Sequence, residues 1–375
     1  MVELAQAQGA MSQESVIVYS RQEPREETRA RVYGTFAIRY VNAEGNAISR
    51  RLVFPLLVAH ELAQLNPRLV HVHNCAELAY HIRRALPNVP IVFSCDYHRE
   101  PLHRFPLLRP ASRYLYRRCL AAADVIAPVS NYCRDTFAGY WGLDGDRCRI
   151  IPNGVDCTRF QPDSGTGMAW RRRLGIERKH VVLYVGRLCA QKGSDLLVEA
   201  YGRLKTSAPE SALVVVGPVG QFGSTLTSPL VEAIQRVGGI YMPPVADEDL
   251  PGIYNLADIF VMPTRDLEMF GMAAVEAQAC GKPLIASDGG GLRETVPHEV
   301  GFRFTPGDPA ALHDALARMI ASPDLRRRMG KAARHNALIY NWPAVARTAD
   351  AVYGAAMSAN TDSRKARVTA PKYAL

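Results

Sequence analysis

Between residues 181 and 287 the chain repeats one unit: a short apolar run rich in β-branched residues, closed by Gly or Pro, with helix-period text behind most of the runs. The runs are Val-Val-Leu-Tyr-Val at 181–185, Ala212 to Val216, Ile240 to Met242, Asp258 to Met262 and Pro283 to Ser287. Strands of this length that are apolar on both faces and alternate with helices predict a parallel sheet covered on both sides. Ligands of such sheets bind beyond the carboxyl ends of the strands. The loops after Val185, Val216, Met262 and Ser287 are therefore where chemistry is expected.

The first half has the same character, less regularly. Val16 to Tyr19, Phe36 to Val41, Leu69 to His73, Ile91 to Ser94 and Val125 to Val129 read as strands, with a helix pattern from Leu56 to Leu65 feeding the third. At 375 residues the chain is about twice a typical domain, so two α/β domains sharing one cleft are expected. Pro162 to Gly167 has linker composition, which places the boundary near 160–168, between domains at 1–160 and 168–340. Residues 358–375 are polar and basic without periodicity and read as a disordered tail.

Composition excludes several classes. No stretch approaches the ~18 uncharged apolar residues of a membrane span. The eight cysteines form no C-x-x-C pair and no zinc-ligand spacing, so reduced thiols, no metal and a cytoplasmic location are expected. No signal-peptide pattern opens the chain. The net charge of +9 is spread along the sequence, which argues against nucleic acid as a partner. Residues 99–118 are the local exception, with Arg99, Arg104, Arg109, Arg113, Arg117 and Arg118 opposed only by Glu100. They form either a solvated helix face or a patch for an acidic surface. Spacings of four put Arg109, Arg113 and Arg117 on one helix face if Pro110 lies in the first turn, with Arg118 beside them; the expectation taken is peripheral contact with anionic membrane.

Two constellations carry chemistry. Gly186-Arg187-Leu188 and Lys192-Gly193 occupy the loop after one strand and just before a helix. Two cations beside the free N–H groups of a helix N-terminus make an anion site, and the glycines let backbone approach a phosphate; an ordinary exposed loop is the bland alternative. The second is Glu268-Met269-Phe270-Gly271, with Glu276 after seven intervening residues. Glu268 and the N–H groups of Phe270 and Gly271 are expected at the start of a helix, and Glu276 in its second turn, about 10 Å along the same cleft. A helix glutamate is ordinarily a solvated charge, yet Glu276 sits within Ala-Ala-Val-Glu-Ala-Gln-Ala-Cys, where small apolar neighbours argue against exposure. Neither Gly217-Pro-Val-Gly220 nor Gly289-Gly-Gly291-Leu-Arg-Glu294 completes the G-x-G-x-x-G of a dinucleotide site, so a nicotinamide enzyme lacks support.

These motifs, with Pro152-Asn-Gly-Val-Asp156, Phe160, Pro162, Gly217, Gly281-Lys-Pro283, Gly301 and Pro306, resemble the donor-nucleotide domain of family 4 retaining glycosyltransferases of the GT-B type over about residues 150–357. The resemblance implies two Rossmann-like domains facing across a cleft and a C-terminal helix, 341–357, that returns to the first domain. It assigns Arg187 and Lys192 to the donor diphosphate, Glu276 to ribose, and Glu268 with Met269, Phe270 and Gly271 to the donor sugar, with Gly186 and Gly217 also at the donor. The implied reaction moves a sugar, with retention and without a metal or other cofactor, from a nucleotide diphosphate sugar to a glycan, lipid-linked or small-molecule acceptor, as in cell-envelope polysaccharide or glycolipid synthesis. A non-catalytic nucleotide-sugar-binding relative is the alternative. On the acceptor side His73, Asp96, His98 and Asn153 are candidates; the family's histidine position holds Asp96 here, with His98 two residues on.

The family's first domain opens with a strand and a Gly-rich turn, and no such turn precedes Leu69 to His73. The expectation is a first domain lacking that strand and turn, with weak turnover and retained nucleotide binding. A rival reading makes Val16 to Tyr19 the first strand.

Overall fold

A computed structural model describes residues 4, 7–8, 16–20, 36–40, 47–96, 109–219 and 229–369. The chain divides into two compact units, Met1–Gly154 with Trp342–Leu375, and Val155–Asn341.

In the first unit β1 (Val16–Ser20) pairs in parallel with β2 (Phe36–Tyr40). A separate parallel sheet has the order β3-β4-β5, formed by Val70–His73, Ile91–Cys95 and Val125–Pro128. Every residue of β4 and β5 is buried, the mark of a sheet covered on both faces. The helix Trp342–Thr369 belongs to this unit, where Val345, Ala346, Ala349 and Val352 pack with Val92, Val125, Ala127 and Ile151. It runs through Thr369, so 358–369 is helical, contrary to the expected disorder. Residues such as Ala, Arg and Lys are good helix formers and extend the packed helix at little cost. Residues 370–375 lie outside the described residues.

The second unit holds one parallel sheet of six strands in the order β11-β10-β9-β6-β7-β8. These are β6 (His180–Val185), β7 (Ser211–Val216), β8 (Ile240–Met242), β9 (Ile259–Met262), β10 (Leu284–Ser287) and β11 (Gly301–Phe304). From the opposite edge this is the doubly wound order 3-2-1-4-5-6, and the switch point falls between β6 and β9. Leu183, Leu213, Val261 and Ile285 are fully buried, with helices Ser194–Ser207 and Pro309–Ala321 packed together beside the sheet. Pro162–Gly167 is not a linker. Asp163 accepts from the N–H groups of Gly165 (2.9 Å) and Thr166 (3.1 Å), capping the helix Ser164–Leu174 within the second unit. The chain passes between the units at Gly154–Val155 and at Asn341–Trp342.

Candidate functional site

The switch point of the second sheet brings together the two loops that the sequence singles out. Lys192, in the loop after β6, forms an ion pair with Glu268, in the loop after β9, although 76 residues separate them. Both side chains are mostly withdrawn from solvent, with 27% and 17% exposed, so this pair is more than a screened surface contact. Arg187 lies exposed on the same loop; its carbonyl accepts from the Tyr184 hydroxyl at 2.7 Å.

The loops are locked to each other by more than this pair. Gln191 O accepts from the N–H groups of Arg265 (2.9 Å) and Asp266 (3.2 Å) and from Thr264 Oγ1 (3.0 Å). The Arg265 guanidinium forks onto both oxygens of Asp195, at 2.5 and 2.7 Å, and also reaches Ala190 O at 2.9 Å. Gly193 has φ +68°, and a Cβ there would collide with the Pro263 carbonyl, so only glycine lets the two loops approach this closely. Gly217 serves a similar approach: its N–H bonds to Met242 O at 3.1 Å and its missing side chain makes room for the Gly186 carbonyl.

Glu276 lies on the helix Met272–Ala279 and accepts from the fully buried Tyr254 hydroxyl at 2.5 Å. Burial pushes its carboxyl above the usual range, and the Tyr254 hydrogen bond pulls it partly back. Arg159 lies close enough to favour the ionised form; its guanidinium bonds to Asp247 O and rests 4.8 Å from the Phe160 ring centroid. Phe270 and Gly271 are buried where this helix begins, with Met269 half-buried before them. No pattern in the sequence points to Tyr254, Arg265, Asp195 or Arg159, because each bonds to a partner far from it in sequence.

In the first unit His73 stands at the end of β3, its ring centroid 4.0 Å from that of His71. His71 is held on both ring nitrogens, Nδ1 to the Tyr353 hydroxyl at 2.6 Å and Nε2 to Ser94 Oγ at 2.7 Å. Burial pushes His71 down to about 3 and keeps His73 well below its ordinary value too. Asp96 is tied to the loop after β3 by Asn74, whose Nδ2 donates to Asp96 at 2.8 Å and whose Oδ1 accepts from the Asp96 N–H at 3.0 Å. Asn74 takes φ +53°, a conformation that asparagine tolerates better than most residues. His98 lies outside the described residues, as do Arg99 and Arg104. Asn153 is half-buried, one residue before the chain leaves this unit.

Arg109, Arg113, Arg117 and Arg118 all lie exposed on the helix Arg109–Leu120. Two of them also turn inward: Arg113 donates to Tyr140 O at 2.5 Å and Arg117 to Gly142 O at 3.4 Å. Among the described residues all eight cysteines are free thiols, no group of three or more His, Cys, Asp and Glu could hold a metal ion, and no helix is long and apolar enough to cross a membrane.

Two family models match the chain, Glycosyltransferase Family 4 over residues 1–159 and Glycosyl transferases group 1 over 168–336. The chain is 34% identical over 248 residues to a GDP-mannose-dependent alpha-(1-6)-phosphatidylinositol monomannoside mannosyltransferase of Mycolicibacterium smegmatis, covering 62% of each. It is 36% identical over 255 residues to a D-inositol 3-phosphate glycosyltransferase of Salinispora arenicola, covering 64% of this chain and 56% of that one. The chain thus spans about three fifths of the length of the curated relatives it matches. Among solved structures, a glycosyltransferase from Rickettsia africae superposes with a TM-score of 0.79 at 20% identity, covering 95% of this chain and 93% of that one. The Anabaena protein HepE in complex with UDP superposes at 0.77 and 19%, covering 94% and 96%. Both share the fold of two Rossmann-like domains.

Proposed function

Because the chain belongs to the family 4 glycosyltransferases, we propose that it transfers a hexosyl group, with retention, from a nucleotide diphosphate sugar to a hydroxyl of a glycan, lipid-linked or small-molecule acceptor. The Lys192–Glu268 pair at the switch point carries this reading. Breaking the anomeric C–O bond leaves charge on the diphosphate, and a cation aimed there in advance stabilises it without reorganisation. Lys192 and Arg187 supply that charge, while Glu268 and the Met269–Gly271 backbone hold the sugar. Glu276 takes the ribose hydroxyls. His73, Asp96 and Asn153 face the acceptor. Turnover of GDP-mannose or UDP-glucose, followed as release of the nucleoside diphosphate in the presence of a polyol or glycolipid acceptor, tests the proposal and separates it from a non-catalytic relative.

Glu276 gives a paired prediction. Glutamine cannot replace a bidentate carboxylate acceptor, so Glu276→Gln is expected to weaken nucleoside diphosphate binding about tenfold. The stability effect has the opposite sign. The folded carboxyl titrates above its unfolded value, so its ionisation opposes folding, and stability is lost as pH rises through the folded value. Glu276→Gln is therefore expected to melt higher than wild type at pH 7, with the gap closing below about pH 4. A variant that loses stability at pH 7 while keeping its affinity would contradict both halves.

We also propose peripheral contact with anionic membrane through the exposed face of the helix Arg109–Leu120. Tyr114 and Leu115 are 60% and 61% exposed among its arginines, an arrangement suited to acidic headgroups above acyl chains. Each cation near anionic lipid contributes about 1 kcal/mol. Sedimentation with vesicles of about 30 mol% anionic lipid is expected to remove more protein than neutral vesicles do, and Arg113→Glu with Arg118→Glu to abolish the difference. Equal sedimentation with both vesicle types would rule the contact out.

A further inference from the structure

Gly289, Gly290 and Gly291 follow β10 and lie directly against the loop that carries Glu268. A Cβ on Gly290 would collide with the Glu268 carbonyl oxygen and lie 3.0 Å from the Glu268 nitrogen. One on Gly291 would collide with the Met269 carbonyl, 2.6 Å from its carbon and 3.0 Å from the Phe270 nitrogen. One on Gly289 would meet Leu267 Cδ2 at 2.5 Å. The contact continues along the chain. Gly291 N–H donates to Glu268 O at 2.7 Å, and the fully buried Thr295 donates from Oγ1 to Phe270 O at 3.0 Å. Residues 267–271 therefore rest, nearly one by one, on residues 289–295.

A tight turn alone does not call for three glycines. Gly290 has φ +61° and is held to glycine by conformation, but Gly291 has φ −65°, which any residue adopts. What Gly291 supplies is proximity. Its missing side chain lets backbone lie on backbone, with no rotamer between the support and the loop above it. Thr295 is fixed in turn, its carbonyl accepting from Gln278 Nε2 at 2.8 Å.

Resting on the donor-site reading above, we infer that Gly289–Gly291 with Thr295 is a positioning element that sets the height at which Glu268 and the Met269–Gly271 backbone meet the donor sugar. The Gly-Gly-Gly run is thus a saddle under the sugar loop and not an incomplete dinucleotide motif. A support that acts only on the sugar end leaves the diphosphate site on the other loop intact, and this separates positioning from general stability.

The test compares wild type with Gly291→Ala, Thr295→Val, Glu268→Gln and Gly307→Ala. Gly307 has φ +82°, and no atom lies within 4 Å of the place a Cβ would take, so its variant carries conformational strain without a collision. Calorimetric titration with GDP, GDP-mannose, UDP and UDP-glucose gives, for the base that is bound, the ratio of sugar-nucleotide to diphosphate affinity. Gly291→Ala is expected to lower that ratio about tenfold or more, and Thr295→Val about threefold, with diphosphate affinity unchanged in both. Glu268→Gln should lower it comparably, and Gly307→Ala should leave it alone. If Glu268→Gln lowers the ratio while Thr295→Val and a folded Gly291→Ala do not, the saddle is overturned and the donor reading stands. Should Gly291→Ala fail to fold, Thr295→Val decides alone, an unchanged ratio overturning the saddle. An unchanged ratio in Glu268→Gln overturns the donor reading and the saddle with it.

Discussion

Replacing Lys192 with alanine is expected to leave the second unit folded and to lower turnover about a hundredfold or more. Removing a single preorganised group aimed at developing charge costs on the order of 10²–10³ in rate, and in the donor site proposed above Lys192 is that group for the leaving diphosphate. Ground-state affinity falls less, about tenfold, because Arg187 remains on the same loop and one charge-assisted hydrogen bond is worth roughly 1.5–3 kcal/mol. Folding survives because the loop has other anchors: Gln191 O with three donors, the Arg265–Asp195 fork and the close approach at Gly193. Lys192→Ala also leaves Glu268 without its counter-ion, which in the proposed donor site adds a negative charge near the diphosphate. Combining Lys192→Ala with Glu268→Gln separates the two effects. The residues touch, so a coupling of about 0.5–3 kcal/mol is expected, and strictly additive losses would mean that the pair does not act as a unit. Single-turnover and steady-state rates with the donor that wild type uses provide the measurement. Wild-type turnover in Lys192→Ala would remove this loop from the chemistry.

The parts of this site that are legible in the sequence are those written along one element. Short apolar runs closed by Gly or Pro locate β6 to β10, and the cations before a helix together with two glutamates eight positions apart locate the two loops at the switch point. β11 escapes because Gly301-Phe-Arg-Phe opens on glycine and carries Arg303, whose side chain is 16% exposed and bonded to Arg293 O, so the run lacks an apolar signature. The domain boundary is illegible for a related reason. Gly, Ser and Asp suit linkers and helix N-termini alike, and the Asp163 cap is a choice made by geometry. Contacts that join different elements leave no trace at all. Tyr254 on Glu276, Arg265 on Asp195 and Asn74 on Asp96 lie 22 to 70 residues apart, and each pairing depends on strand order, which periodicity does not encode. The glycine saddle shows the same limit from another side. Three glycines in a row signal that something approaches closely, and only the fold says what.

The first unit is expected to lose stability steeply in mild acid, and His71 is the reason. Its ring is enclosed between β3, Ser94 and the C-terminal helix, and both nitrogens are taken, by Tyr353 and Ser94. Both partners are hydroxyls that can accept as well as donate, so the hydrogen bonds tolerate either state of the ring and it is the burial of a charge that disfavours protonation. Burial pushes its pKa from 6.5 to about 3 in the folded chain. The unfolded chain therefore takes up a proton near pH 6.5 that the folded chain refuses until about pH 3, so stability falls as pH drops through that window. Each unit of pH costs about 1.4 kcal/mol for one proton, which makes the loss about 3–4 kcal/mol by about pH 4. His73, stacked on His71 and also held below its ordinary value, adds to the same trend, while Asp350, near Tyr353, bears on the hydroxyl partner. His71→Gln keeps a hydrogen-bonding side chain and removes the titration. It is expected to be less stable than wild type at pH 7 by about 1–2 kcal/mol, from one imperfect hydrogen bond, yet to resist acid better. Hydrogen exchange of the β3 and β4 amides from about pH 7 to 4.5, corrected for intrinsic rates, measures this locally in the full chain. Protection in wild type should fall faster with acid than in the variant, and the two curves should converge. Parallel curves would show that His71 is not the group through which acid opens this unit.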